Sequence, residues 1–412
     1  MAFRLDFAST YQILGAACNG DLNLLKRLAN ELDMGDGLEE TVASIKDLNG
    51  RTALHFAAVG GRAHVCRLYP KGICFQQVCD GTVSCLFPGE TPLHYSISTD
   101  RYQTAVHLLE NGANPNAATD EGLTPLHFAA KSGLKKLLLL LIMKGAKPNM
   151  VFDFVHSPLM ASILASSFEC VKLLLRAGAD PNTCSRGKTP LVVAASNGET
   201  EIMRCLLNAG ADPKVTNNFG FTPVEVAALA GHSEGVRILL PITCPIPKVS
   251  DWSFDGIMKH VNSEKFERKR MLRKVKHLVL SLSKGHDAFI TKDYVNAIRW
   301  YTEVIDTAPS FLCNQTAVAE AVSLTNRSLC WAHLNEGDLA LTDAIASRMA
   351  QPFWPMARYA EGLAWNLLKD FKRAAESFFT GMQLDRENRQ LNDLFRDHGE
   401  ILQALDMPPP II

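Results

Sequence analysis

The tetrapeptide Thr-Pro-Leu-His and its variants recur along the chain, and no other feature constrains the fold as strongly. It reads Thr52-Ala53-Leu54-His55, Thr91-Pro92-Leu93-His94, Thr124-Pro125-Leu126-His127, Ser157-Pro158-Leu159, Thr189-Pro190-Leu191 and Thr222-Pro223-Val224. From residue 91 onward the starts fall at 91, 124, 157, 189 and 222. A fixed period of about 33 residues marks stacked supersecondary units. One such unit cannot bury its apolar face alone, so neighbours must stack into a continuous core.

Each unit repeats the same parts for physical reasons. Gly50, Gly89, Gly122, Gly187 and Gly220 stand two residues before the Thr, where a tight turn calls for positive φ. The Thr caps a first helix, and Pro at its first position lacks only an N–H that would be orphaned anyway. Paired leucines follow on a second helix (Leu108-Leu109, Leu173-Leu174, Leu206-Leu207), and Gly-Ala ends it at 112–113, 145–146, 178–179 and 210–211. His55, His94 and His127 occupy one repeat position each, so they read as buried hydrogen-bonding groups beside the turn. These motifs resemble the ankyrin-repeat family over residues 8–241, about seven repeats with the first two degenerate. Ile13–Asp21 resembles a first capping repeat, and the long step from 52 to 91 places extra residues around Cys74–Phe87.

Past Leu240 the signature changes. Prolines at 241, 245 and 247 stop the last helix, and 242–256 reads as a linker. Gly285, Ala297, Tyr301 and Pro309 share their offsets with Ser328, Ala340, Ala344 and Pro352, and with Gly362, Ala374 and Phe378. Small residues there let paired helices approach, and an aromatic fills the gap. This pattern resembles three tetratricopeptide repeats over 285–388, with extra residues around 312–320. Residues 389–412 read as a terminal capping helix and a Pro-rich tail. The expected fold class is all-α: an ankyrin solenoid of helix pairs with β-hairpin fingers, then an α-α superhelix. The layout resembles that of ankyrin–tetratricopeptide proteins of plants.

Lys292-Asp293-Tyr294, Ala297-Ile298, Tyr301-Thr302-Glu303 and Asn326-Arg327-Ser328 resemble the chaperone-adaptor subgroup of these repeats. Members of that subgroup hold the Glu-Glu-Val-Asp tail of Hsp70 or Hsp90 in a clamp of Lys, Asn, Asn, Lys and Arg. The resemblance places Leu282, His286, Asn326, Met356 and Ala360 at those five positions. Every fixed positive charge is absent, so the chain is not expected to bind such a tail by the usual charge-assisted bonds. Arg327 and Arg358 are the groups available to rebuild the clamp, which keeps a chaperone-linked adaptor as the alternative function.

Two further surfaces are candidates for partners. Ankyrin arrays bind through their finger residues, here Glu121, Leu123, Phe154, His156, Arg186, Lys188, Phe219 and Phe221. Phe152, Phe154, Phe219 and Phe221 either form an apolar anchor patch or fold back on neighbouring fingers. The segment 257–284 reads as one basic amphipathic helix. Ile257, Val261, Leu272, Val275, Val279 and Leu282 form its packing side, and Lys269, Arg270, Arg273 and Lys274 belong to its polar side. That basic cluster suits nuclear import, an anionic partner or simply a solvated face.

The net charge of −1 over 412 residues argues against a dedicated nucleic-acid or membrane-surface protein. Neither a phosphate-binding Gly-Lys-Ser/Thr loop, a Gly-x-Ser-x-Gly elbow nor a His-Glu-x-x-His helix occurs. Eleven scattered cysteines without a secretory leader suggest free thiols in the cytoplasm, with the nucleus as a second location. Cys74, Cys79 and Cys85 lack the tight paired spacing of a zinc site. The sequence thus reads as a non-catalytic adaptor without cofactor or metal. Its ankyrin face takes one protein, and its second groove, with His286, Asn326, Arg327 and Arg358, takes a peptide or helix.

Overall fold

The computed structural model describes residues 7–32, 41–42, 44–47, 50–67, 89–150, 156–185, 187–246, 249, 251–307 and 314–385. The expected insertion at Cys74–Phe87, the fingers at Phe152 to Val155 and Arg186, and the segment 389–412 lie outside these residues. Two compact units divide the chain, residues 1–266 and 267–412.

The first unit is a row of helix pairs: Phe7–Asn19 with Leu22–Leu32, Ala53–Gly60 with Ala63–Cys66, and Pro92–Ser98 with Tyr102–Glu110. Pro125–Lys131 with Lys135–Met143, Pro158–Leu164 with Phe168–Arg176, Pro190–Asn197 with Thr200–Asn208, and Pro223–Leu229 with Ser233–Leu239 follow. From Pro92 on, each first helix opens on the motif's proline, whose fixed φ suits that position. The finger glycines adopt positive φ, 85° at Gly122 and 70° at Gly220, as the tight turn requires. Each finger is one turn: the Gly122 N–H donates to the Thr119 carbonyl (2.7 Å), and the Thr119 N–H to that of Leu123 (2.9 Å). So short a loop leaves no room for a ladder. Among the described residues the fingers carry only the bridges Lys46 to Thr52 and Ser185 to Lys188. One hydrophobic core runs through the unit from Ile13 to Phe266.

The sequence reads 242–256 as a spacer, but its described residues pack onto the unit. Thr243 is buried and donates to the Leu239 carbonyl (2.8 Å), and the Trp252 indole donates to that of Leu240 (3.3 Å). Val249, Trp252 and Phe254 lie against the core. The sequence also gives one helix over 257–284, whereas the structure has two, Phe254–Val261 and Glu264–Ile290. Ser263 makes the break: its hydroxyl donates to the His260 carbonyl (2.7 Å) and accepts from the Phe266 N–H (3.3 Å). A side chain that competes for backbone groups in this way ends one helix and caps the next.

The second unit contains Tyr294–Thr307, Asn314–His333, Gly337–Ala350, Pro355–Leu367 and Phe371–Leu384, after the helix that ends at Ile290. Its repeated small residues act as expected. A Cβ on Gly285 would come within 2.8 Å of the Tyr301 ring, and one on Gly362 within 2.5 Å of the Phe378 ring. At the middle repeat Ser328 replaces Gly and donates instead to the Ala340 carbonyl (2.7 Å). Of the extra residues expected around 312–320, those from Asn314 on lengthen a helix, since Asn314–His333 runs for 20 residues.

Candidate functional site

The first unit is joined across its repeats by polar side chains. In the first-helix caps, the His55, His94 and His127 Nδ1 atoms accept from the backbone N–H of Thr52, Thr91 and Thr124 at 3.0–3.1 Å. The Thr hydroxyls lie 2.8–2.9 Å from the same nitrogens. Two donors on Nδ1 fix the tautomer with hydrogen on Nε2. At His94 this nitrogen reaches the Leu123 carbonyl of the next finger (3.2 Å). The carbonyls of Glu90 and His156 hold the same position for His55 and His127, beyond strict hydrogen-bond range. Burial pushes all three imidazoles down to about 4, so they are neutral near pH 7. The histidines are structural, as their periodic placement implies.

A second ladder is carried by the Pro-Asn that follows Gly-Ala in three of the four repeats that have it. Asn116 donates to the Gly145 carbonyl (3.0 Å) and accepts from the Lys147 N–H (2.8 Å). Asn149 does the same to Gly178 and Asp180, and Asn182 to Gly210 and Asp212, at 2.8–3.0 Å. The next residue in the series is Lys214, and there the ladder stops.

The last repeat also differs at the histidine position, where Glu225 stands. It accepts from the Thr222 N–H (2.9 Å) and hydroxyl (3.0 Å), closing a capping box. Its other oxygen faces His260 of the following helix at 3.9 Å. Phe221 stacks against Phe266 (5.2 Å between centroids), and Phe266 also meets the edge of His260 (4.9 Å). Residues 254–266 therefore close the open end of the core.

This closure corrects part of the finger surface. Phe221 is only 2% exposed and belongs to the core, because the closing helix supplies the apolar cover that a solvent-facing finger lacks. Phe219 is partly buried against the same core. His156 points along the fingers to the Ser185 hydroxyl (2.9 Å), and Leu123 is half-buried with its carbonyl given to His94. Glu121 and Lys188 are exposed. Phe154 and Arg186 lie outside the described residues.

A row that the sequence reading passed over lies directly after the histidines: Phe56, Tyr95 and Phe128, all half-buried. Tyr95 meets the His55 ring edge-on (5.7 Å), and Phe128 meets His94 likewise (5.3 Å). The Arg51 guanidinium covers Phe56 at 5.0 Å. Burial, then the neighbouring Glu90 carboxylate, pushes the Tyr95 hydroxyl up to about 12. One turn further on, Lys131 and Leu164 are exposed, the latter by 52%. Its signal in the sequence is an aromatic directly after Leu-His in three repeats.

In the second unit the five clamp positions hold three apolar side chains, Leu282, Met356 and Ala360, with His286 and Asn326. Asn326 sits at the hydroxyl of the buried Tyr301. The arginines that might replace the missing charges are already engaged. Arg327 makes a forked pair with the buried Asp343 (2.7 Å for both bonds) and donates to Thr302 (2.9 Å). Arg358 and Arg348 both hold the buried Glu361 at 3.2 Å. The expectation that Arg327 and Arg358 line the groove as available cations is thereby corrected: their charge neutralises buried acids.

The helix Glu264–Ile290 packs on a side about a third of a turn round from the one the sequence reading gives it. Leu278, Ser281 and Gly285 are buried, and His277 reaches Glu303 (3.3 Å) on that same side. Leu272, Val275 and Val279, expected to pack, are 56%, 48% and 65% exposed. Lys269, Arg270, Arg273 and Lys274 are instead half-buried, Arg270 holds Glu267 (2.6 Å), and burial lowers the Lys274 pKa. Gly285 sets the rotation, because only that face can lie against the Tyr301 ring.

Among the described residues, no group of three or more His, Cys, Asp or Glu side chains is arranged to hold a metal. None of the described helices is long and apolar enough to cross a membrane.

Stacked helix pairs joined through backbone-seeking His and Asn, followed by glycine-and-aromatic helix pairs, define a double repeat protein. The sequence profile described as "Ankyrin repeats (3 copies)" matches residues 13–119, 72–152 and 159–248, more than half of the chain. The chain belongs to the ankyrin-repeat family, and its second unit is a tetratricopeptide-like stack. It is 30% identical to "Protein STIP1 homolog" of Dictyostelium discoideum over 115 residues, 28% of this chain and 19% of that protein. It is 29% identical to "Tetratricopeptide repeat protein 28" of Homo sapiens over 99 residues, 24% of this chain and 4% of that one. The chain thus spans a fifth or less of these relatives' length. The solved ankyrin repeat domain of Bcl-3 is 26% identical with a TM-score of 0.47, covering 56% of this chain and 97% of that domain.

Proposed function

We propose that the chain is a non-catalytic adaptor that holds two partners on separate surfaces. The observation that carries this reading is the half-buried aromatic row Phe56, Tyr95 and Phe128, one residue per repeat on consecutive first helices. Amphipathic aromatics in a row, bordered by the exposed Glu121, Lys131 and Leu164, are the residue types that anchor protein interfaces. Lys188 extends that surface along the fingers. The second partner is a peptide or helix taken by the second unit, and two modest contacts to one assembly gain avidity through effective concentration. Cytoplasm or nucleus suits the free cysteines, Cys18, Cys66, Cys170, Cys184, Cys205, Cys244 and Cys330 among the described residues.

Leu164→Glu tests the first surface, since the side chain is exposed at a helix end and its replacement leaves the core intact. Affinity capture with the full chain should lose one set of partners with this variant, at an unchanged melting temperature. A variant in the second unit should lose a different set. Loss of one and the same set by both variants, or of none, overturns the adaptor reading. The chaperone-linked alternative has its own test, titration of the full chain with a peptide ending in Glu-Glu-Val-Asp. With Arg327 and Arg358 tied to Asp343 and Glu361, no binding is expected at hundreds of micromolar; micromolar binding would revive that alternative.

A further inference from the structure

The face that Glu264–Ile290 turns outward is a continuous stripe. Leu272, Val275, Val279, Leu282, His286 and Ile290 follow one another at steps of three and four, within a narrow arc of the helix. Ile290 is 64% exposed, comparable to Val279. At a rise of about 1.5 Å per residue, the stripe is about 27 Å long, or five turns. Lys276 is exposed along its flank, and Leu282 is half-buried within it. Two of the clamp positions, Leu282 and His286, lie within it.

We propose that this stripe docks an amphipathic helix of a partner protein whose apolar seam is bordered by acidic residues. This deepens the adaptor reading and rests on it, naming the chemistry of the second partner. A straight row at three-and-four spacing matches the ridge of another helix rather than an extended peptide, which repeats every second residue. Lys276 borders the apolar row, so the complementary acid lies beside the partner's apolar side chains, not at a chain terminus. A parallel second copy of this chain would set Lys276 against Lys276.

The test uses the full chain and a synthetic five-turn helical peptide with Leu at three-and-four spacing and Glu on its flanks. Its twin with Lys in place of Glu serves as the control, and binding is read by fluorescence anisotropy with sedimentation in parallel. The Glu peptide should bind at least about tenfold more tightly than the Lys twin. Val279→Glu and Lys276→Glu should each weaken it by about tenfold while the circular dichroism melt stays in place, and Leu164→Glu should leave it unchanged. Equal binding of the two peptides overturns the proposal. So does self-association of the chain that Val279→Glu abolishes, or binding that appears only after residues 386–412 are removed. Failure here, with Leu164→Glu still losing its own partners, leaves the two-surface reading standing.

Discussion

The two units solve the same problem, holding identical helix pairs in line, with opposite chemistry. In the first, His94, Asn116, Asn149 and Asn182 reach from one repeat to main-chain atoms of the next. In the second, Gly285 admits Tyr301 and Gly362 admits Phe378, and acids buried among the helices are matched by Arg327, Arg348 and Arg358. A bond to backbone places no demand on the neighbour's side chain, so the first unit's outer residues are at liberty to vary repeat by repeat. A glycine fitted to a ring ties two side-chain identities together. The second unit is therefore constrained within each pair, and its variation is confined to faces such as the Leu272 to Ile290 stripe.

Acidification should separate the units most. His55, His94 and His127 titrate at about 4 in the folded chain and near 6.5 when unfolded. Their neutral forms support the fold fully above about pH 6.5, and the support is lost as pH falls toward about 4, because the unfolded chain takes up the protons. At pH 5 each histidine should cost the first unit on the order of 2 kcal/mol. Hydrogen exchange read peptide by peptide at pH 7 and pH 5 checks this; equal loss of protection in both units would break the contrast.

Asp343→Ala should act next most strongly and in the second unit alone. It strands Arg327, whose side chain is 19% exposed, and breaking such a pair costs about 3 kcal/mol. If exchange protection of Asn314–His333 hardly moves, the forked pair is not what holds that helix. Gly362→Ala sharpens the steric half of the comparison: a methyl pressed against Phe378 should cost about 2 kcal/mol. Thermal melts should show that loss, whereas Gly15, mid-helix in the first unit with nothing within 4 Å of its missing Cβ, is the matched control. The smallest effect is expected for Asn149→Ala, about 1 kcal/mol for two largely solvent-exposed bonds. Its loss should appear as faster exchange at Gly178 to Asp180, confined to one repeat boundary.

Periodicity made the repeats legible, because Gly, Thr-Pro and Gly-Ala each mark a backbone event that happens locally. The glycine and aromatic spacing of the second unit was legible for the same reason: Gly285 and Tyr301 are a helix and a turn apart. What escaped was whatever depends on a partner remote in sequence. The apolar row of Glu264–Ile290 revealed an amphipathic helix but not which side it packs, and Gly285 decided that against hydrophobicity. Phe221 looked like an exposed finger because its cover, Phe266, arrives from a helix beyond the last repeat. Arg327 looked like a groove cation because Asp343 lies on another helix.

The end of the first unit carries a consequence for lineage. Asn116, Asn149 and Asn182 each reach the repeat after their own, whereas Lys214 stands at the next place in that series and Glu225 of the last repeat faces His260. A duplication within the stretch from Asn116 to Asn182 would carry its joining amide with it, whereas a copy of the end of the row would not.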